Sequence, residues 1–371
     1  MNEDKATRYH RLRRRAALAG TALGALFLVL LLATGWSADL RDAAASAAGS
    51  SFTLTVIIYV VLVALLSELL QLPLAFYQGV TLERRYGLST QTTARWWLDR
   101  LKVAAVGLLF AVGGALIVWW LLRWSPDRWW FIAALCLGGV LVLLAQLAPV
   151  LLLPVFYRFR PLDRPALAAR LVDLAARAGA TVVGVFEWQL SDRTRKANAA
   201  LTGLGRTRRI LLSDTLLAEH SDEEIEVVLA HELAHHVHHD IWKAIALEGL
   251  LLVLGFYVAD LALQGAVGRV GIEAKDDVAA LPLLLLAGGA VSLALLPVAN
   301  AVSRAHERRA DRYALDMTRN AGAFISAMRR LAAQNLAEER PSRWVEILFH
   351  SHPPMSARVE FARAWESSVR T

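Results

Sequence analysis

Cysteine is almost missing from this chain of 371 residues: the only one, Cys136, lies inside an apolar run. That excludes a disulfide within the chain and a zinc site built from thiolates. Charged residues are sparse as well, at 20%, while 56% of positions are hydrophobic and mean hydropathy is +0.42. This balance excludes an ordinary soluble domain and points to a membrane protein that keeps a polar portion of some size. Internal repeats and low-complexity tracts are absent. Much of the net charge of +7 sits beside apolar runs. A membrane surface explains such charge better than a nucleic acid does, so no nucleic-acid partner is expected.

Apolar sequence is what the chain has in abundance. A spanning helix needs about 20 mainly apolar residues. Six stretches reach or approach that length: 16–36, 52–77, 103–122, 129–157, 244–263 and 279–302. The basic residues Arg11, Arg13, Arg14 and Arg15 ahead of the first stretch look like the start of a signal peptide. The uncharged run 16–38 is longer than a signal core of roughly 7–15 residues, however, and is read as a retained span. Acids interrupt two stretches, Glu68 in the second and Glu248 and Asp260 in the fifth. Intramembrane acids usually face a protein interior or a water-filled cavity; the other reading is a position near a helix end.

The Lys/Arg bias sets the expected orientation. With the arginine-rich N-terminus inside, the loop 78–102 (Arg84, Arg85, Arg95, Arg100, Lys102) is inside too, as are the segments opening at Arg158 and holding Arg304, Arg308 and Arg309. The outer loops 37–51, 123–128 and 264–278 are richer in acids. The expected organisation is an N-terminal transmembrane region of about four spans (1–157), a polar segment (158–243), two further spans (244–302) and a second polar segment (303–371), with both termini in the cytoplasm. Helices are expected over 165–178, 303–318 and 321–335. Strands are expected within 181–189 and at 209–213, the latter after a turn at Gly203-Leu204-Gly205. Ser221, followed by Asp222, Glu223 and Glu224, reads as a capped helix start.

That helix runs into His231-Glu232-Leu233-Ala234-His235. Residues i and i+4 share one helical face, so both imidazoles can reach one metal, with Glu232 beside it. Zinc suits neutral imidazole and lowers the pKa of its water toward about 7, and Glu232 is then suited to move a proton from water to a leaving amine. His236, His238 and His239 are expected to be solvated or interfacial. A catalytic zinc site takes three protein ligands and leaves one position open. Glu307 and Asp311, four apart on another expected helix, are candidates for the third ligand and for a carboxylate orienting a ligand imidazole. A surface ion-pair lattice with the neighbouring arginines is the competing reading.

These motifs together resemble the membrane-embedded gluzincin metallopeptidases of the CAAX prenyl protease 1 type, including their bacterial homologues. The similarity runs from about Phe76 to Arg358. It rests on the segment 77–102, on Asn198-Ala199 with Arg209-Ile210 and Asp214-Thr215-Leu216-Leu217, on 231–235, on Ser303-Arg304 with Glu307, Ala310 and Asp311, and on Ser351-His352-Pro353-Pro354 with Arg358. The resemblance implies one Zn2+ per chain on His231, His235 and Glu307, Glu232 as base, and Asp311 as partner of a ligand. It also implies that Asn198 and Ala199 meet the substrate, and that His352 and Arg358 line the site as donors to the oxyanion. Read alone, without the resemblance, His352-Pro353-Pro354 is better read as a plain helix-stop loop. The strand at Arg209 is expected to accept an extended peptide.

Departures from the family are few. Six spans stand where eukaryotic members have seven, which bears on whether a closed intramembrane chamber forms. Ala200 and Leu201 stand where aromatics are common, and Ala234 replaces a glycine. The expected fold is a mainly α membrane protein, about six transmembrane helices carrying a cytoplasm-facing α+β zincin-like peptidase region in a bacterial inner (cytoplasmic) membrane. The expected activity is zinc-dependent hydrolysis of peptides or proteins at the lipid bilayer, in membrane-protein processing or quality control. The alternatives are a site-2-type protease, which the charged stretch 221–240 disfavours, and a non-catalytic zinc-containing scaffold or transporter.

Overall fold

The structure, a computed structural model, describes residues 4–49, 51–203 and 207–370, without the side chains of 148–150. The turn expected at Gly203-Leu204-Gly205 therefore lies outside the described residues except for Gly203. That residue is left-handed (φ 87°), and a Cβ there would meet the Thr207 carbonyl oxygen at 2.7 Å.

The first half is helical: α1 (Lys5–Ala33), α2 (Trp36–Ala48), α3 (Phe52–Phe76), a π-helical turn (Tyr77–Leu82), α4 (Glu83–Arg85), α5 (Thr93–Trp124), α6 (Trp129–Leu151) and α7 (Leu153–Phe156). Next come β1 (Phe159–Pro161), α8 (Pro165–Arg177), β2 (Val185–Trp188), β3 (Ala199–Thr202), β4 (Arg209–Ser213), α9 (Asp214–Glu219) and α10 (Asp222–Val237). The chain closes with α11 (Asp240–Ala266), α12 (Leu281–Thr318), α13 (Ala321–Gln334), α14 (Arg343–Phe349) and α15 (Met355–Arg370). Among the described residues, six helices, α1, α3, α5, α6, α11 and α12, are long and apolar enough to cross a membrane, as the hydropathy pattern indicates. The protein is thus a mainly α membrane protein with one small sheet.

Two boundaries differ from expectation. The loop 37–51 contains a helix, α2, held by Arg41, which pairs with Asp277 at 2.6 Å and Asp42 at 2.8 Å. The helix expected at 303–318 is no separate element: α12 runs unbroken for 38 residues. At 1.5 Å per residue that is about 57 Å, against a hydrocarbon core of about 30 Å. Its last turns thus project out of the spanning region and carry Glu307 and Asp311. The N-terminus of α1 makes the same kind of bridge. Tyr9 and Lys196 both bond to Glu83, and Arg14 pairs with Glu338 at 2.5 Å.

Three hydrophobic cores organise the described residues. One plugs the spans at the end bearing α2, around Tyr59, Trp119, Trp129 and Leu263. Beside this plug, all six spans line a cavity of about 750 Å3. A second core joins α8, the sheet, α10, α13 and α15 through Leu171, Ile210, Leu229 and Phe324. The two polar segments, separated in sequence by two spans, therefore build one folded unit. A small third core, around Tyr9 and Tyr86, seats α1 against the turn after α4.

The sheet order is β1-β2-β4-β3, with β2 and β4 parallel and both outer pairs antiparallel. This corrects the expectation that the strand at Arg209 accepts a peptide: β4 is interior and paired on both sides. The strands with an unpaired side are β1 and β3, and β3 is the one that follows Asn198. The Ser213 N–H bonds to the Asn198 carbonyl at 2.9 Å, which fixes the ladder's alternation. The main-chain groups of Ala199 and Leu201 then face the open edge.

Candidate metal centre

Local chemistry explains why α10 forms where it does. Ser221 Oγ accepts from the Glu224 N–H, and Glu224 Oε2 accepts from the Ser221 N–H at 2.9 Å, a complete capping box. Three acids in the first turn add a favourable charge at the dipole's positive end. The helix stops at His238, and His239 adopts a left-handed conformation (φ 55°) that turns the chain into α11. That turn swings Asp240, the first residue of α11, back onto the helix just completed.

The result is a symmetric arrangement of donors. His231 Nε2 lies 3.2 Å from Glu307 Oε2, and His235 Nε2 lies 3.4 Å from Glu307 Oε1. His231 Nδ1 faces Asp311 Oδ1 at 3.0 Å, and His235 Nδ1 faces Asp240 Oδ2 at 3.0 Å. A carboxylate behind each Nδ1 fixes the proton there and leaves both Nε2 lone pairs pointing at one space. One ligand atom from each of His231, His235 and Glu307 lies within 4.8 Å of the others.

The donor set fits a metal. Two ligands about 2.05 Å from a tetrahedral zinc stand about 3.3 Å apart. Both observed imidazole–carboxylate separations match that spacing. Glu307 Oε2 is also buried without a hydrogen-bond partner, although an imidazole nitrogen is 3.2 Å away. Atoms that crowd together without aligning for a hydrogen bond are aimed at a shared third point.

The electrostatics agree. Burial pulls the His231 imidazole down, but the adjacent carboxylates of Asp311 and Glu307 outweigh it and raise its pKa to about 9. His235 is also raised, burial again being overcome by Glu307. The carboxyl of Glu232, next in the chain to His231, is raised by burial, as suits a group that must pick up a proton.

The remaining expected residues divide. His352 reaches the site, with Nε2 3.3 Å from Glu307 Oε1, and its side chain is 60% exposed. Arg304 supports that loop by donating to the carbonyls of Glu346 at 2.9 Å and His350 at 2.6 Å. The stop-loop reading of His352-Pro353-Pro354 holds only for its backbone. Asn198 is exposed just ahead of β3, while the Ala199 side chain belongs to the core and only its main chain faces the edge.

Arg358 departs from the oxyanion-donor role. It is 6% exposed, and its Nε and Nη2 bond to both oxygens of Asp311 at 2.8 and 2.5 Å. A guanidinium so committed holds Asp311 in place from behind. The surface-lattice reading of Glu307 and Asp311 fails for the same reason, since both are buried. Asp240 was missed. It stands five residues after His235, and Arg309 bonds to its other oxygen. Of the three extra histidines, His238 packs edge-on against Tyr313, His236 is half-buried and His239 is exposed.

Comparisons with known proteins agree with this geometry. Residues 161–366 match the model of peptidase family M48, and residues 2–158 match a model described as CAAX prenyl protease N-terminal, five membrane helices. The uncharacterized metalloprotease YhfN of Bacillus subtilis is 32% identical over 369 residues, covering 98% of this chain and 86% of that protein. The CAAX prenyl protease 1 of Saccharomyces cerevisiae is 35% identical over 178 residues, covering 47% of this chain and 39% of its own length. The crystal structure of S. mikatae Ste24p superposes with a TM-score of 0.84 at 22% identity, covering 96% of this chain and 87% of that one. Among the described residues of 2–158 there are four helices of spanning length, plus α2, whose 13 residues reach only about 20 Å.

Proposed function

The chain belongs to peptidase family M48 and is a membrane zinc metallopeptidase, and on that footing we propose that it is an endopeptidase cleaving membrane-associated peptides or proteins at a single zinc held by His231, His235 and Glu307. The observation that carries this reading is the pair of 3.2 and 3.4 Å separations between the imidazoles and the two oxygens of Glu307. Zinc in such a site acts as a Lewis acid and makes water a nucleophile near neutral pH.

The chain's own residues do the rest. Glu232 takes the proton of the attacking water and returns it to the leaving amine. His352, exposed on its loop, donates to the oxyanion of the tetrahedral intermediate. Asp311 and Asp240 hold the ligand imidazoles, and Arg358 and Arg309 hold those carboxylates. The open edge at Ala199 and Leu201 pairs with an extended peptide, and the free side chain of Asn198 bonds to its backbone.

In this reading, residues 1–157 and 244–302 form the membrane part, and 158–243 with 303–371 form the peptidase part. The basic residues of loop 78–102 support a cytoplasm-facing site and cytoplasmic termini, in a bacterial cytoplasmic membrane. Processing or quality control of membrane proteins is the proposed task. The name of the yeast relative, CAAX prenyl protease 1, points to prenylated substrates instead.

The test is zinc content and hydrolysis of a quenched peptide pool by purified protein, with and without a prenylated member. Wild type binds one zinc and cleaves, Glu232→Ala binds zinc without cleaving, and Glu307→Ala loses the metal. Glu307→Ala protein retaining zinc and activity would overturn the ligand set. Cleavage of prenylated peptides alone would overturn the quality-control task. Full cellular function in Glu232→Ala would favour a zinc-containing scaffold.

A further inference from the structure

We propose that Glu248 forms a subsite for a basic side chain of the peptide substrate, inside the cavity that the six spans surround; the inference rests on the peptidase reading above. Three acids interrupt the apolar stretches of the spanning helices, and two have partners. Glu68 receives two bonds from Arg100, at 2.6 and 2.7 Å. Asp260 receives bonds from Trp129 and Gln264, both at 2.6 Å. Glu248 makes no hydrogen bond or ion pair with any described residue, and it is exposed. A charge at membrane depth without a partner is costly and marks function.

The direction in which Glu248 faces identifies the partner. Glu248, Leu252, Gly255 and Ala259 recur every three or four residues and line the 750 Å3 cavity. Leu250, Leu254 and Tyr257, on another side of the same helix, line a separate groove with Trp130 and Leu295. Glu248 therefore looks into the bundle. Among the described residues, the cavity lining is otherwise apolar apart from Ser67, Gln71 and Ser292, and contains no lysine, arginine or histidine. No counter-charge is supplied by the walls, so the occupant must bring one.

The placement also sets a distance. Asp240 opens α11 and bonds to His235, and Glu248 is eight residues further along that helix. Eight residues at 1.5 Å each put it about 12 Å along the helix from Asp240, which backs the metal site. An extended peptide advances about 3.3 Å per residue, so the cation sits about two to four residues from the scissile bond, depending on side-chain reach. The surrounding apolar wall suits the neighbouring residues of a membrane-derived segment.

The test uses full-length protein reconstituted in nanodiscs and matched fluorogenic peptides with lysine or norleucine at each position within four residues of the cleaved bond. Wild type is expected to favour lysine at one such position by about tenfold in kcat/KM, mainly through KM. Glu248→Gln brings the ratio to about one, and Glu248→Lys turns the preference toward a glutamate-bearing peptide. Metal analysis verifies that each variant keeps its zinc. Peptide affinity, measured by fluorescence anisotropy on Glu232→Gln protein, reads the subsite without turnover. Lysine-selective binding without cleavage by wild type would sustain the subsite while sinking the peptidase reading. Equal binding of lysine and norleucine peptides by wild type, or an unchanged lysine preference in Glu248→Gln, would overturn the subsite.

Discussion

Replacing Arg358 separates two roles that the same residue could play. In the structure its guanidinium is buried and makes two bonds to Asp311, itself 1% exposed, which in turn faces His231 Nδ1. Arg358→Met keeps the side chain's length and removes its charge. The Asp311 carboxylate is then buried without its counter-ion, and breaking a buried pair from one side costs about 3–5 kcal/mol. Neither partner is exposed enough for solvent to soften that figure. The loosened Asp311 also stops fixing the His231 imidazole, and losing such an outer partner weakens metal affinity or activity about 10–100-fold. Arg358→Met should therefore lower both the unfolding midpoint and the zinc affinity, measured by thermal unfolding and chelator competition in detergent. The double variant Asp311→Asn/Arg358→Met should recover part of the stability, because the unpaired carboxylate is gone. The reasoning is refuted if Arg358→Met keeps its zinc affinity and midpoint while kcat falls by about 100–1,000-fold, the signature of a lost oxyanion donor.

Other expectations follow from the same geometry. Glu232→Gln should retain zinc and lose about 100–10,000-fold in kcat, read by metal analysis alongside steady-state kinetics. Zinc affinity of the metal-free protein should fall with pH. His231 has its pKa raised to about 9, zinc needs the neutral imidazole, and each unit below that value costs up to about tenfold for the proton displaced. Chelator competition across the range gives the slope, and a flat profile would contradict the assignment of His231. Leu201→Pro should keep the ladder bonds of β3, because that N–H faces the open edge, while losing a side chain packed on the core, and should raise KM by about tenfold through one lost hydrogen bond to the peptide. An unchanged KM would mean that peptides bind elsewhere.

Particular residues show what could be read without coordinates. The spans are visible because apolar runs of that length have few other uses, and the start of α10 is visible because Ser221 and Glu224 are a local device. Glu307 and Asp311 could be picked out from their spacing, although nothing local showed that they are buried. β3 was unreadable because Ala199 and Ala200 have little strand propensity and are extended only through pairing with β4. β1 is three residues ending in Pro161, which lies opposite Phe186. The continuity of α12 was hidden because hydropathy falls at residue 302, whereas backbone hydrogen bonding does not depend on polarity. Asp240 and Arg358 owe their positions to a left-handed turn at His239 and to the return of α15. Both are tertiary effects with no local signature.

The most direct test of the zinc assignment is X-ray absorption at the zinc edge of purified wild-type protein. Two imidazole nitrogens at about 2.0–2.1 Å and carboxylate or solvent oxygen at about 2.0–2.2 Å, in four-coordination, are the expected result. A sulfur shell near 2.3 Å, or a site with a single imidazole, would contradict the placement of the metal on His231, His235 and Glu307.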